Sequence, residues 1–228
     1  MTKIIQVKNL TKTFSDGLTQ TKVLKGIDFE VAAGEFVAVM GRSGAGKSTF
    51  LYQMSLLDNP TTGEIILNEK DTHNLDNDEK TNFRLMNLGY VFQDYSLIPE
   101  LTASENIMVP LLMQGIEKET AYKRAVTALE SVGLSHRENN LPSELSGGEQ
   151  QRVSIARAII HNPKILFADE PTASLDTYSS DIVMDIFKKL NKEQGLTIVM
   201  VTHEDEYGRV ADRIVRLSDG LIVSDENN

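Results

Sequence analysis

Three short stretches carry residue types that could do chemistry together. Gly41-Arg42-Ser43-Gly44-Ala45-Gly46-Lys47-Ser48 fits GxxxxGK[ST], a phosphate-binding loop. Its glycines let the backbone curl so that successive N–H groups face phosphate oxygens. Lys47 supplies a point charge for β and γ phosphates. The Ser48 hydroxyl, with Thr49 behind it, is a candidate Mg2+ ligand at the start of a helix whose N-terminus favours anions. The second stretch is Asp169-Glu170, closing the apolar run 165–168. Two adjacent carboxylates at a strand end suit phosphoryl chemistry: the first can hold Mg2+ through water, the second can polarise an attacking water. The third is Ser146-Gly147-Gly148-Glu149. Ser146 and Glu149 form a capping box. That does not account for two adjacent glycines, each costing about 1 kcal/mol inside a helix. Glycines at a helix mouth leave bare N–H groups open to a close anion. One nucleotide does not need two such ends from one chain, so a second copy of the chain is expected to supply one of them.

These residues need elements to place them. Residues 4–10 and 23–31 alternate apolar and polar and read as half-buried strands, with a turn signal at Ser15-Asp16-Gly17 between them. The run 35–40 is a strand leading into the loop, and 48–57 is helix-prone. Further strands are expected at 64–67, 89–92, 164–168 and 197–201, and helices near 78–86, over 117–132, from the Ser146 segment to about 160, and over 179–190. The stripe Tyr122, Val126, Leu129 and Val132 is expected to face a core. Residues 106–113 are apolar and interrupted by Pro110. Asp219-Gly220 between 213–217 and 221–223 is a hairpin signal. Strand and helix alternate in the C-terminal half, which predicts an α/β fold with a parallel sheet and helical crossovers. Residues 98–143 read as almost all helix. Two lobes of one 1–228 domain follow: a nucleotide-binding core over 1–92 and 146–228, and a helical lobe over 93–145.

The composition narrows the class. The chain has 228 residues and a formal net charge of −10, which argues against a nucleic-acid partner. It has no cysteine, hence no disulfide and no thiolate metal site. Met1-Thr2-Lys3-Ile4-Ile5-Gln6 lacks the apolar core of a signal peptide. No apolar run approaches the ~20 residues of a membrane-spanning helix. The expectation is a soluble, cytoplasmic chain; if it serves a membrane, another polypeptide does the spanning.

Taken together, the motifs resemble the ATP-binding cassette ATPases, the nucleotide-binding subunits of ABC transporters. The resemblance spans nearly the whole chain and keeps the motifs in order, and Leu145-Ser146-Gly147-Gly148-Glu149-Gln150-Gln151 is similar to the family signature. It implies a P-loop NTPase core with a parallel sheet, an N-terminal antiparallel β subdomain and a helical insertion. Gln93 looks like the glutamine joining the core to the helical lobe and to Mg2+. Ala173-Ser174-Leu175-Asp176 looks like the loop that crosses to the partner subunit, and His203 like the histidine that senses the γ-phosphate. Pattern alone makes Phe14 a core aromatic at a strand end; the resemblance makes it the platform on which adenine stacks. Arg42 stands where relatives often carry proline, and Glu204 where aspartate is usual. The implied mechanism is a head-to-tail dimer with each ATP between the phosphate loop of one copy and Ser146, Gly147 and Gly148 of the other. Glu170 would act as base or water-orienting group and His203 would stabilise developing charge. Motion would pass to an integral membrane permease through the loop after Gln93, placing the chain on the inner face of the membrane.

Two stretches point to a branch. Leu57-Asp58-Asn59-Pro60-Thr61-Thr62-Gly63-Glu64 and LGYVFQDYSLIPELTASENIMVPLL over 88–112 resemble the lipoprotein-releasing, macrolide-exporting and cell-division-associated ATPases, as does the 16–22 segment. The alternatives are an importer ATPase, which shares the catalytic motifs, and a soluble cassette acting on DNA or ribosomes. The short separation of Ser48 from Leu145, the single cassette and the acidic charge weigh against the latter.

Overall fold

The computed structural model describes residues 2–17 and 19–228; the expectations placed on 1–6 and 16–22 fall partly outside it, at Met1 and Leu18. In chain order the strands are β1 (Lys3–Ser15), β2 (Gln20–Ala32), β3 (Phe36–Met40), β4 (Thr62–Leu67), β5 (Lys70–Asp71), β6 (Leu88–Val91), β7 (Ile165–Asp169), β8 (Thr197–Thr202), β9 (Arg213–Ser218) and β10 (Leu221–Asn227). The helices are α1 (Lys47–Met54), α2 (Asn77–Asn87), α3 (Ala103–Met113), α4 (Lys118–Ser131), α5 (Gly147–Ile159), α6 (Thr177–Gln194) and α7 (Asp205–Gly208).

Two sheets form. One is antiparallel in the order β2-β1-β4-β5. The other runs β10-β9-β3-β8-β7-β6, parallel from β9 to β6, with β10 added antiparallel. β3, β7 and β8 are buried at every position. That is why they read as unbroken apolar runs: helices or a second sheet cover both faces of a parallel sheet. Side chains alternate between the two faces. Val37, Val39, Phe167, Val199 and Val201 pack with Phe50, Leu51 and Met54 of α1 and with the antiparallel sheet. Phe36, Ala38, Met40, Leu166 and Ile198 pack with Ile155 of α5 and Val183, Phe187 and Leu190 of α6. A third apolar cluster gathers α3, α4 and α5, through Ile107, Leu111, Ala125, Leu129 and Val153 among others.

Several boundaries differ from expectation for local reasons. α1 ends at Met54 rather than near 57, because Leu56 turns left-handed (φ 59°) and the amides of Leu57 and Asp58 fold back onto the Tyr52 carbonyl. α3 begins three residues before the apolar run, where Thr102 and Glu105 make a capping box; Pro110 sits inside the helix. The buried stripe of α4 is Ala121, Ala125 and Leu129, one residue off the expected Tyr122 and Val126. Tyr122 is exposed, and its hydroxyl donates to Glu138 at 3.3 Å. The hairpin at Asp219-Gly220 forms with both residues at positive φ, 46° and 75°, as a tight primed turn requires.

Phe50 is fully buried and meets Phe29 edge-on, ring centroids 5.3 Å apart. It ties α1 to the antiparallel sheet. Phe50→Ala is expected to cost about 3–5 kcal/mol of unfolding free energy, read as a fall in the urea midpoint of the nucleotide-free chain.

Candidate functional site

The C-terminal ends of three adjacent parallel strands bring the site together. Met40 pairs with Thr202, and Asp169 with Val201, so the residues that follow β3, β7 and β8 emerge side by side. Ligands of open α/β sheets sit at such strand ends. After β3 the chain enters the loop at Gly41, where a Cβ would stand 2.2 Å from the Leu217 carbonyl oxygen; no side chain fits. The loop closes at Gly46, which has φ 100° and provides no side-chain cap for α1. The first-turn amides of α1 therefore have no side-chain acceptor and remain available to an anion.

Lys47 is 6% exposed. Its Nζ donates to the carbonyls of Gly41 (3.0 Å) and Arg42 (3.2 Å) and lies 3.6 Å from Glu170 Oε1. The other Glu170 oxygen is 3.2 Å from Nδ1 of the exposed His203. Glu170 thus bridges the lysine and the histidine. It does so in a left-handed backbone conformation (φ 43°), with its own amide donating to the Val201 carbonyl at 2.9 Å. A non-glycine residue held there is strained, and such strain clusters at functional sites. Ser48 Oγ donates to Asp169 Oδ1 at 3.0 Å. Asp169 is buried, and burial raises its pKa above the usual aspartate value; Glu170 adds to this, while the Ser48 hydrogen bond and Lys47 oppose it. Glu204 accepts a hydrogen bond from Thr172 at 3.0 Å, fastening the His203 segment to the one after Glu170.

Gly41, Arg42, Ser43, Lys47, Glu170 and His203 line one cavity of about 560 Å³. Asp205 and Arg216, which sequence reading missed, line it too, 3.2 Å apart. Their signal was positional: Arg216 pairs with Met40 across β9 and β3, and Asp205 lies two residues after His203. Arg42 is exposed, and its side chain makes no ion pair among the described residues.

Other expected residues lie apart. Gln93 is exposed just beyond β6, with no side-chain hydrogen bond among the described residues. Phe14 is not the core aromatic that pattern suggested. It is 48% exposed near the end of β1, with Lys12 Nζ 4.9 Å from its ring centroid. Ser146, Gly147, Gly148 and Asp176 do not line the cavity. Ser146 caps α5, accepting from the Glu149 amide at 3.3 Å, while Glu149 also takes Arg137 at 2.8 Å. Asp176 caps α6 through Ser179. The two glycines have a reason within the chain: a Cβ at Gly147 would lie 2.8 Å from the Tyr95 hydroxyl, and one at Gly148 2.6 Å from Ser179 Oγ.

The profile of the family described as "ABC transporter" matches residues 24–173. The chain belongs to that family. It is 45% identical to the lipoprotein-releasing system ATP-binding protein LolD of Geobacter metallireducens, covering 99% of this chain and all of that one. It is 44% identical to the macrolide export ATP-binding/permease protein MacB of Bdellovibrio bacteriovorus, covering 98% of this chain and 34% of MacB, so it spans about a third of that longer protein. In structure it is similar to the cassette MJ0796, solved as a post-hydrolysis dimer bound to ADP and Pi: TM-score 0.92, 42% identity, 98% of each chain covered. The expected α/β cassette fold is therefore the one observed. Among the described residues no helix of this ABC family member is long and apolar enough to cross a membrane.

The elevated Asp169 pKa has a thermodynamic sign. Folding favours its protonated form, so stability from this group is full below 3.8, the ordinary aspartate value, and is lost as pH rises through the folded value. Asp169→Asn is therefore expected to raise the melting temperature of the nucleotide-free chain at neutral pH. The gain should vanish as pH falls toward 3.8, read from thermal melts across a pH series.

Proposed function

We infer that this chain is the ATP-hydrolysing subunit of an ABC transporter, powering a separate membrane permease of the export or mechanotransmission type. The observation that carries the reading is the bridge Lys47–Glu170–His203 in a cavity that Ser146 and Gly148 do not line. One chain supplies half of the reaction site, and a second copy, head to tail, supplies the other half. The similarity to cassettes solved as dimers supports this assembly.

ATP would lie with its phosphates on the loop amides from Gly41 to Ser48 and Thr49, and adenine against the exposed ring of Phe14. Glu170 sits where it can orient the attacking water. Lys47 neutralises one of its oxygens and the His203 ring holds the other, and both side chains line the cavity in which the γ-phosphate would lie. The partner's helix mouth at Ser146, Gly147 and Gly148, and its Asp176 segment, would close the site. The donor set fits Mg2+: a hydroxyl and a buried carboxylate 3.0 Å apart, with no cluster of three or more acidic, His or Cys ligands among the described residues. Ser48 and Asp169 would hold the ion, with Gln93 reaching it as the lobes approach. When bound, the ion supplies charge neutralisation on the phosphates. The chain would divide into a core lobe (1–92, 146–228) and a helical lobe (93–145), with α5, which packs both under β3 and against α3 and α4, joining the two. The chain would work on the inner face of the membrane, held there by the permease. Relatives named for lipoprotein release and macrolide export, at 44–45% identity, favour the export branch over an importer.

Two experiments test this reading. Glu170→Gln is expected to lower ATP turnover by roughly 10²–10⁴-fold and to accumulate an MgATP-dependent dimer in gel filtration; wild-type turnover would remove Glu170 from its role. Ser146→Arg is expected to leave ATP affinity unchanged and abolish hydrolysis, measured by equilibrium binding and phosphate release. A binding loss as deep as that of Lys47→Ala would count against the shared site.

A further inference from the structure

The loop after β6 is held by a half-buried cation that the reaction does not use. Arg157, on α5, donates Nη1 to the Ser96 carbonyl at 2.7 Å and Nη2 to the Tyr95 carbonyl at 3.0 Å. It has no carboxylate partner among the described residues, and burial lowers its pKa. Drawing a guanidinium even partly out of water without a counter-charge has a cost. Here its planar fork is matched to two successive backbone carbonyls. Those carbonyls belong to Tyr95 and Ser96, both left-handed (φ 62° and 49°), a conformation that neither residue adopts readily. The same Tyr95 reaches the other end of the helix: its hydroxyl occupies the space a Cβ would take at Gly147. Ten residues separate Gly147 from Arg157, about 15 Å of helix. An arginine side chain leaning toward the helix N-terminus and a tyrosine side chain laid end to end span that length. Beyond Ser96 the loop is pinned again. Buried Asn106 of α3 exchanges two hydrogen bonds with the Ile98 backbone (2.8 and 3.1 Å) and donates to the Leu101 carbonyl (2.9 Å).

We propose that Arg157 is a positioning residue that latches loop 94–97 onto α5, so that the segment beside Gln93 and the helix mouth at Ser146 move as one body. The consequence rests on the shared-site reading above. When a partner's nucleotide engages Ser146 and Gly148, the displacement of α5 is delivered to Leu97 and the exposed Ile98 without passing through the phosphate loop. The latch itself is a property of the single chain.

The chain has no cysteine, so Ile98→Cys gives one labelling position for an environment-sensitive fluorophore. Arg157→Met keeps the unbranched stem and removes the fork; Arg157→Lys keeps a charge that cannot span both carbonyls. In the nucleotide-free chain, hydrogen exchange at 95–98 is expected to quicken by at least about tenfold in Arg157→Met, the loss expected for charge-assisted hydrogen bonds. Amides of α1 and β7 should keep parental rates, and Arg157→Lys should fall between. In the Glu170→Gln background, MgATP is expected to shift the fluorescence of the label at 98 with Arg157 present. With Arg157→Met the dimer should still assemble but the shift should be lost. Parental exchange at 95–98 in both variants overturns the latch. A loosened loop with an undiminished MgATP response overturns the coupling. A parent chain that shows protected 95–98 amides but no MgATP-dependent dimer supports the latch and counts instead against the shared site.

Discussion

The structure depends on keeping an ammonium and two carboxylates nearly dry at the end of a parallel sheet. Lys47 and Asp169 are both buried, and Glu170 is mostly so. Taking such groups out of water is expensive unless each is hydrogen-bonded and paired. Lys47 meets that condition with two loop carbonyls and Glu170, and Asp169 with Ser48 alone. The asymmetry fits the direction of the Asp169 pKa, which burial raises and Glu170 raises further, against the Ser48 hydrogen bond and Lys47. The constraint also dictates the fold around it. Only strands covered on both faces bring three chain segments together this far from water. β3, β8 and β7, buried throughout, deliver the loop, His203 and the carboxylates to neighbouring positions.

A site built this way is one-sided. Arg42, Lys47, His203 and Arg216 line a cavity whose carboxylates, among the described residues, are Glu170 and Asp205. Triphosphate bound there would still have its outer face open. At the N-terminus of α5, Gly147 and Gly148 lie against Tyr95 and Ser179 of their own chain and do not line this cavity. The cap of α5 is complete without a ligand, since Ser146 and Glu149 satisfy each other and Arg137 steadies Glu149. The cap is thus formed within the single chain, so in the proposed shared site the helix end would be preorganised, as electrostatic stabilisation of a transferring phosphoryl group requires.

Much of this was legible in the sequence, and the exceptions share a cause. The loop from Gly41 to Ser48, the carboxylate pair, the hairpin at Asp219 and the capping box at Ser146 are local patterns, and each appears where residue spacing put it. What depends on contact between distant segments was not legible. Phe14 looked like a core residue because strand alternation cannot say that the end of β1 lies open. The expected core face of α4 holds at Leu129 and Val132 but is one residue off at Tyr122 and Val126, where Ala121 and Ala125 pack against α3 and α5 instead. Arg216 and Asp205 carry no motif; only the register of β9 against β3 brings Arg216 beside the phosphate loop. The glycine pair at 147–148 was read as room for an anion. The structure adds a second reason, close approach of Tyr95 and Ser179, and the two are compatible because both require an absent Cβ.

Backbone strain follows the same geography. Among the described residues, four of the nine at positive φ other than glycine are Asn or Asp, which tolerate that region. Of the five that do not, Glu170 follows β7, and Tyr95 and Ser96 lie in the loop after β6, the strand beside it. Each is held by a hydrogen bond from elsewhere: the Val201 carbonyl takes the Glu170 amide, and Arg157 takes the carbonyls of Tyr95 and Ser96. Gln151, fully buried on α5, donates to the Pro171 carbonyl at 2.8 Å and joins the same helix to the segment just beyond Glu170. α5 therefore grips both strained loops at once, by Gln151 on one side and Arg157 on the other. Two loops fixed to one rigid helix cannot relax independently. On the proposed latch, a shift of that helix would act on the segment after Glu170 and on the exposed loop together, the mechanical condition for a chain that couples hydrolysis to work at a distance.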